Sequence, residues 1–317
     1  MSSLSTRLDH PTAPLVGLAV AVLAVSTSAI LVTWSEAPSL VKAFYRVLFT
    51  TLLLAPFAFS RHAGDFARIR RRDVLVAVAS GVALALHFAT WFESLNWTTV
   101  AASVTLVQAQ PLFVAVGAWA LLDERVTGRT VVGILVAVAG MVVMSVGDLL
   151  SGVAVAAPRP LYGNALAVVG AVTAAGYVLA GRSLRQRIAL LPYVTVVYSV
   201  CALVLLVLTV AEGHALLGYP LREWLLFLGM AVGPGLFGHT VINWALAHLE
   251  SSVVSVSLLG EPVGSTLLAL VLLGQVPTLA TVVGGAVVLG GIYVTAGSRN
   301  EPSPPERSPS TEVSGES

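Results

Sequence analysis

Ten apolar runs, each long enough to cross a bilayer, leave this chain few ways to fold. They are Pro14–Thr33, Ser39–Phe59, Val74–Glu93, Thr99–Leu122, Thr130–Val146, Leu161–Gly181, Pro192–Ala211, Glu223–Trp244, Ser251–Gly274 and Thr278–Ala296. A helix needs about 20 mostly apolar residues to cross the hydrocarbon core. Barrel strands would instead alternate apolar and polar positions over about ten residues, and these runs do not. Bare peptide groups find no partner in lipid, so each run is expected to be a helix. Composition agrees, with 56% hydrophobic and 10% charged residues, against about 25% charged in a soluble domain. A net charge of +1 gives no footprint for nucleic acid. The single cysteine, Cys201, allows no intrachain disulfide and leaves the redox compartment open. No small-residue cleavage pattern follows the first run, so it reads as a retained helix.

Lysines and arginines set the orientation, because they concentrate in cytoplasmic loops. Of the 17, 15 lie outside the runs. The N-terminus, every second loop and the C-terminus carry 13 of them, led by Arg61, Arg68, Arg70, Arg71 and Arg72; the alternate loops carry 2. Both termini are therefore expected in the cytoplasm. The expected organisation is a cytoplasmic N-terminus over 1–13, five-helix units over 14–147 and 161–296, and a disordered cytoplasmic tail over 297–317, rich in Ser, Pro and Glu.

The second unit repeats the first. Leu95–Val143 and Leu246–Val294 align at a constant offset of 151 without a gap and match at 13 of 49 positions. Pro111 falls on Pro262, Thr127 on Thr278, Gly133 on Gly284 and Gly140 on Gly291. The arginine bias is displaced by one helix between the units. The loops after the first and second helices carry none and five basic residues; their counterparts carry three and one. That displacement predicts two inverted repeats. An all-α membrane protein of this kind points to a transporter with its site between the repeats.

Several strings carry a family resemblance. Ser94-Leu95-Asn96-Trp97-Thr98-Thr99-Val100-Ala101-Ala102-Ser103 enters the fourth run, followed by Pro111, Leu122-Asp123-Glu124-Arg125 and Gly133. The ninth run echoes it with Ala245-Leu246, Gly260-Glu261-Pro262-Val263 and Gly284. Together they resemble the EamA-type members of the drug/metabolite transporter superfamily. The resemblance implies ten helices in two inverted repeats and transport of small metabolites, commonly export of amino acids or toxic compounds. One departure is Gln275, where the family carries a glutamate that the first repeat keeps as Glu124.

Ionisable groups inside the runs include Lys42, Arg46, His87, Glu93, His239 and Glu261. A charge at the bilayer centre costs at least about 2.5–3.5 kcal/mol, so each needs a partner, water or a function. Glu261 and Arg46 reach comparable depths. They read either as a cavity pair for a zwitterionic substrate or a protonation switch, or as an ion pair joining the halves. Lys42 shares the face of Arg46 and is expected to snorkel to the outer headgroups; Glu93 reads as interfacial. His87 and His239 read as hydrogen-bonded interior histidines or as proton carriers. Gln108 and Gln110 sit beside Pro111, and Gln110 is the repeat counterpart of Glu261. Pro111 and Pro262 are expected to kink their helices and free the carbonyls of Val107 and Leu258. Tyr45, Tyr177, Tyr198, Trp91 and Asn243 are cavity candidates, whereas Trp34 and Trp244 fit interfacial anchors.

Gly233-Pro234-Gly235-Leu236-Phe237-Gly238 spells a nucleotide fingerprint, but inside a membrane run rather than between strand and helix. Its glycines read as packing and Pro234 as a kink. The reading is a secondary transporter for a small molecule in a lipid bilayer, with no cofactor, no metal and no nucleic acid, as a monomer or homodimer. A passive channel or a receptor stays open as the alternative. A membrane-embedded enzyme lacks its motifs.

Overall fold

The computed structural model describes residues 12–122, 127–150, 157–185, 187–245, 258 and 260–297. The tail, the string Asp123-Glu124-Arg125 and the start of the ninth run lie outside the described residues. The described helices fall into the ten expected positions. The second, third, fifth, sixth, seventh and tenth spans are single helices over Ser39–Ala67, Arg71–Trp97, Gly128–Leu150, Pro160–Arg185, Leu190–Ala211 and Leu279–Gly297. The ninth is described over Gly260–Leu273.

Three spans depart from a simple helix. The first is two helices, Thr12–Ser26 and Ser28–Trp34, parted at Thr27. The fourth is Val100–Val107 and Gln110–Leu122, so the expected continuous helix with a kink is instead two pieces joined by a turn at Gln108 and Ala109. The eighth runs as an α-helix over Leu221–Met230, a π-helix over Ala231–Thr240 and an α-helix over Val241–Ala245. The second span also outruns its expected end at Phe59. It bends at His62 (φ −132°, ψ 20°), and Phe66 comes back to stack on Phe59 at 5.0 Å.

Helix starts follow from capping side chains, which satisfy the free N–H groups of a first turn. Thr99 Oγ1 accepts from the Ala102 N–H at 3.2 Å, and Thr278 Oγ1 from the Thr281 N–H at 3.0 Å. The repeated threonines do the same backbone work: Val131 N–H bonds Thr127 O and Val282 N–H bonds Thr278 O.

The most extensive helix contacts join one half of the chain to the other. They pair the fifth span with the tenth, the third with the sixth, the second with the seventh and the first with the eighth. The repeated glycines set the first of these. A Cβ on Gly140 would stand 2.6 Å from Val288 N and 2.8 Å from Gly284 O; one on Gly291 would stand 2.5 Å from Ala137 N and 2.6 Å from Gly133 O. Each contact is the other's image under the 151-residue offset, and the two helices run antiparallel. The aligned glycines are the two ends of one close crossing, where only a missing side chain lets the backbones meet. The fourth and ninth spans cross in the same sense. Gln275 Oε1 accepts from the Val100 N–H at 3.1 Å, setting the end of one beside the start of the other.

Candidate functional site

Irregular backbone at membrane depth is tolerated only where protein buries it or where it lines a cavity. The breaks in the first and eighth spans lie against Arg46, while the break in the fourth meets Glu261 and lines no part of the hollow beside Arg46. The Arg46 side chain is fully buried, and its Nη1 donates to Ser28 Oγ at 2.8 Å, at the head of the second piece of the first span. Its guanidinium lies over the ring of Phe88 at 4.5 Å and that of Phe92 at 5.5 Å. Such cation–π contacts are strongest in desolvated places. Nη2 is buried and has no hydrogen-bond partner among the described residues.

Glu261 is buried and accepts from Gln108 Nε2. The bond joins the broken fourth span to the ninth, and each partner stands beside its repeat's proline. Pro111 is the second residue of the restarted helix, where its missing N–H costs nothing. The preceding turn is closed by Ala109 N–H on Leu106 O at 3.1 Å and Leu112 N–H on Ala109 O at 2.9 Å. Gln110, half-buried, opens the restarted helix. No ion pair links Arg46 to Glu261; the glutamate acts on the guanidinium from beyond contact range.

The eighth span supplies the opposite wall. Proline inside a helix loses one hydrogen bond and crowds the carbonyl four residues back, and the π winding around Pro234 accommodates both. Thr50 Oγ1 from the second span donates to Arg46 O in its own helix at 2.8 Å and stands 3.3 Å from the Ala231 carbonyl of the π winding. A Cβ on Gly235 would meet Thr50 Oγ1 at 2.5 Å, and one on Gly238 would meet Val25 Cγ1 at 2.6 Å. The fingerprint-like glycines are therefore packing residues. Between these walls lies a hollow of about 300 Å³, counting its open mouth, lined by Arg46, Val47, Thr50, Leu84, Phe88, Tyr177, Tyr198, Gly235 and His239.

The other candidates divide. Tyr198 lines the hollow and is hydrogen-bonded to Tyr177. His87 is held inside by Nδ1–H on Gly170 O at 2.9 Å and stacks on Trp91 at 5.7 Å. Trp91 is buried with its Nε1–H unpartnered. Tyr45 stands apart from the hollow. It stacks on Phe227 at 5.0 Å, meets Trp224 edge-on at 4.8 Å and donates its hydroxyl to Leu216 O. Trp34 and Trp244 are exposed, as anchors would be.

Lys42 does not snorkel. It is buried, and Nζ donates to Val32 O at 3.0 Å in the last turn of the first span. The physical reason is the free carbonyls and negative end of that helix, which attract cations. Arg222 Nη2 does the same at Trp34 O, 2.8 Å. Beside them Glu223, buried, accepts from Ser35 Oγ and from the Glu36 N–H at 3.0 Å. Sequence reasoning placed Glu223 only as the edge of a run. Its partners stand nearly 190 positions away, and no local signal announces them. Glu223→Ala is expected to cost about 1–3 kcal/mol by stripping a buried N–H and hydroxyl of their acceptor. Thermal unfolding of purified protein checks this, and an unchanged midpoint refutes it.

A helical bundle of this composition, with its broken helices gathered round a buried charge, is a multi-pass membrane protein built for a small solute. Known proteins agree. The EamA-like transporter family profile matches residues 12–146 and 161–297. This chain belongs to that family. It is 32% identical over 200 residues to an uncharacterized transporter of Archaeoglobus fulgidus, covering 61% of this chain and 67% of that one. It is 25% identical over 260 residues to the uncharacterized transporter YetK of Bacillus subtilis, covering 81% and 78%. One solved crystal structure superposes with a TM-score of 0.61 at 20% identity over 90% of this chain and 98% of its own, which speaks for the fold alone. The protein is a membrane transporter and not an enzyme.

Proposed function

We propose that this chain is a secondary active transporter that exports a small metabolite across the plasma membrane by alternating access, with both termini in the cytoplasm. The observation that carries this reading is the meeting of two helix breaks, at Thr27 and around Pro234, on one charged hollow between the halves. Unwound segments at the membrane midplane are where transporters of repeat architecture hold their substrates. The antiparallel crossings of the fifth with the tenth span, and of the fourth with the ninth, support inverted repeats that rock about this region.

The contacts also favour one state. Arg222 on Trp34 O, Glu223 on the Glu36 N–H, Gln275 on the Val100 N–H and Arg159 N–H on Trp97 O tie the halves together on the face away from the arginine cluster. The hollow lies from mid-depth toward the opposite, arginine-rich face. That arrangement fits a transporter shut to the outside. One chain holds the whole site, so a monomer suffices. Glu261 is the acid best placed to carry a coupling proton, because among the described residues its hydrogen-bond partner is a neutral amide. Proteoliposomes preloaded with unlabelled amino acids should take up the labelled ones by saturable counterflow, and an imposed pH gradient should drive net movement. Flux that is linear in concentration and blind to preloading would make the protein a channel. Counterflow indifferent to the gradient would remove the proton.

A further inference from the structure

Arg46 is the one permanent charge among the residues that line the hollow. Its surroundings are unusual for a buried arginine. Nη1 is spent on a neutral hydroxyl, two phenyl rings cover the plane of the guanidinium, and Nη2 has nothing. A buried charge is normally stabilised by a counter-charge in contact, since desolvation alone is costly. Among the described residues no carboxylate touches it. Glu261, the nearest acid to act on it, is occupied by Gln108.

A second donor waits nearby. Trp91 Nε1 is buried and unpartnered, on the helix that also carries Phe88 and Phe92. Trp91 packs against Phe92 at 5.3 Å, and Phe92 touches Arg46. Tryptophan can only donate, as can arginine. These two donors therefore lack an acceptor among the described residues, and a ligand that brings acceptor atoms satisfies them. Of the remaining walls, Val47, Leu84, Phe88, Tyr177 and Tyr198 offer apolar and aromatic surface, and Thr50, Gly235 and His239 complete the lining. Aromatic walls alone would also suit an organic cation, but the field of Arg46 opposes one.

We propose that the solute carried through this site bears a carboxylate on a small apolar or aromatic body, and that Arg46 Nη2 receives that carboxylate. The assignment rests on the transporter reading, because it takes the hollow to be the transport site. It replaces the zwitterion expected from an Arg46–Glu261 pair, since the structure keeps those two groups out of contact.

Three probes of one shape separate the possibilities: phenylacetate, phenylacetamide and phenethylamine. Added to purified wild-type protein, phenylacetate should raise the thermal unfolding midpoint with concentration. The amide should need about tenfold more for the same rise, the worth of one charge-assisted hydrogen bond, and the amine should give none. Arg46→Lys should keep a weaker response to phenylacetate and Arg46→Gln should lose it. The wild-type ranking decides even if a variant fails to fold. Equal response to the amide or amine, or no response to any probe, overturns the carboxylate assignment. The two readings fail separately. Counterflow of other solutes with indifference to phenylacetate sinks this assignment and leaves a transporter, whereas binding of phenylacetate without exchange of any solute sinks the transporter.

Discussion

Gly291→Leu is expected to abolish the folded protein, while Gly290→Leu leaves it intact. The two glycines are neighbours in the same helix, yet their surroundings are opposite. A Cβ at 291 runs into the backbone of Ala137 and Gly133, whereas one at 290 meets nothing within 4 Å. Backbone cannot rotate aside as a side-chain tip can, so the fifth and tenth spans would have to separate. Overpacking a tight contact costs about 3 kcal/mol or more when the neighbours cannot yield. That is a large part of the 5–15 kcal/mol that holds a typical domain together. Size-exclusion profiles of the two variants check this directly. A sharp wild-type-like peak for Gly291→Leu, or equal loss in both, would show that the crossing is not as close as described. By the symmetry of the pair, Gly140→Leu should behave like Gly291→Leu.

The second large effect is on function without loss of fold. Glu261→Gln should reduce counterflow to that of protein-free liposomes while the protein still purifies as a single species. An amide of the same shape can still meet Gln108, so the tie between the fourth and ninth spans survives; what disappears is the charge. Gln108→Leu provides the converse. It leaves the buried carboxylate without its donor, which costs about 1–3 kcal/mol, and should lower the unfolding midpoint as well as flux. Wild-type flux in Glu261→Gln would mean that this acid serves only to hold two helices together.

How much of this was legible beforehand differs by residue type. Runs of apolar residues gave the spans directly, because length in lipid is a one-dimensional property. The matched glycines announced themselves as a repeat, although only coordinates show that they touch each other. Pro111 and Pro234 each stand at a departure from a regular helix, but proline says only that a regular helix is unsuitable there. Whether the chain restarts after a turn or widens into a π winding depends on neighbours, and those two prolines did not share one answer; the approach to Pro262 lies outside the described residues. Thr27 broke the first span with no proline at all; the cluster Ser26-Thr27-Ser28 inside an apolar run was the available signal. Of the buried charges, the sequence singled out Lys42, Arg46 and Glu261 but not Glu223, and it left their partners open, since pairing is a matter of angle around each helix. Arg46 turned to Ser28, Phe88 and Phe92, Glu261 to Gln108, and Lys42 to a helix end.

The cross-half pairing of the helices has a consequence for how the molecule is made. A chain enters the membrane from its N-terminus, and helices insert before they associate. The main pairings of the first five spans must therefore wait for the last five. The charges do not have to wait. Arg46 finds Ser28, Phe88 and Phe92, and Lys42 finds the Val32 carbonyl, all within the first half. Glu261 arrives last, and Gln108 is already in the bilayer to receive it. Lys42, Arg46 and Glu261 thus each meet a host no later than their own insertion, whereas His87 waits for the Gly170 carbonyl of the sixth span.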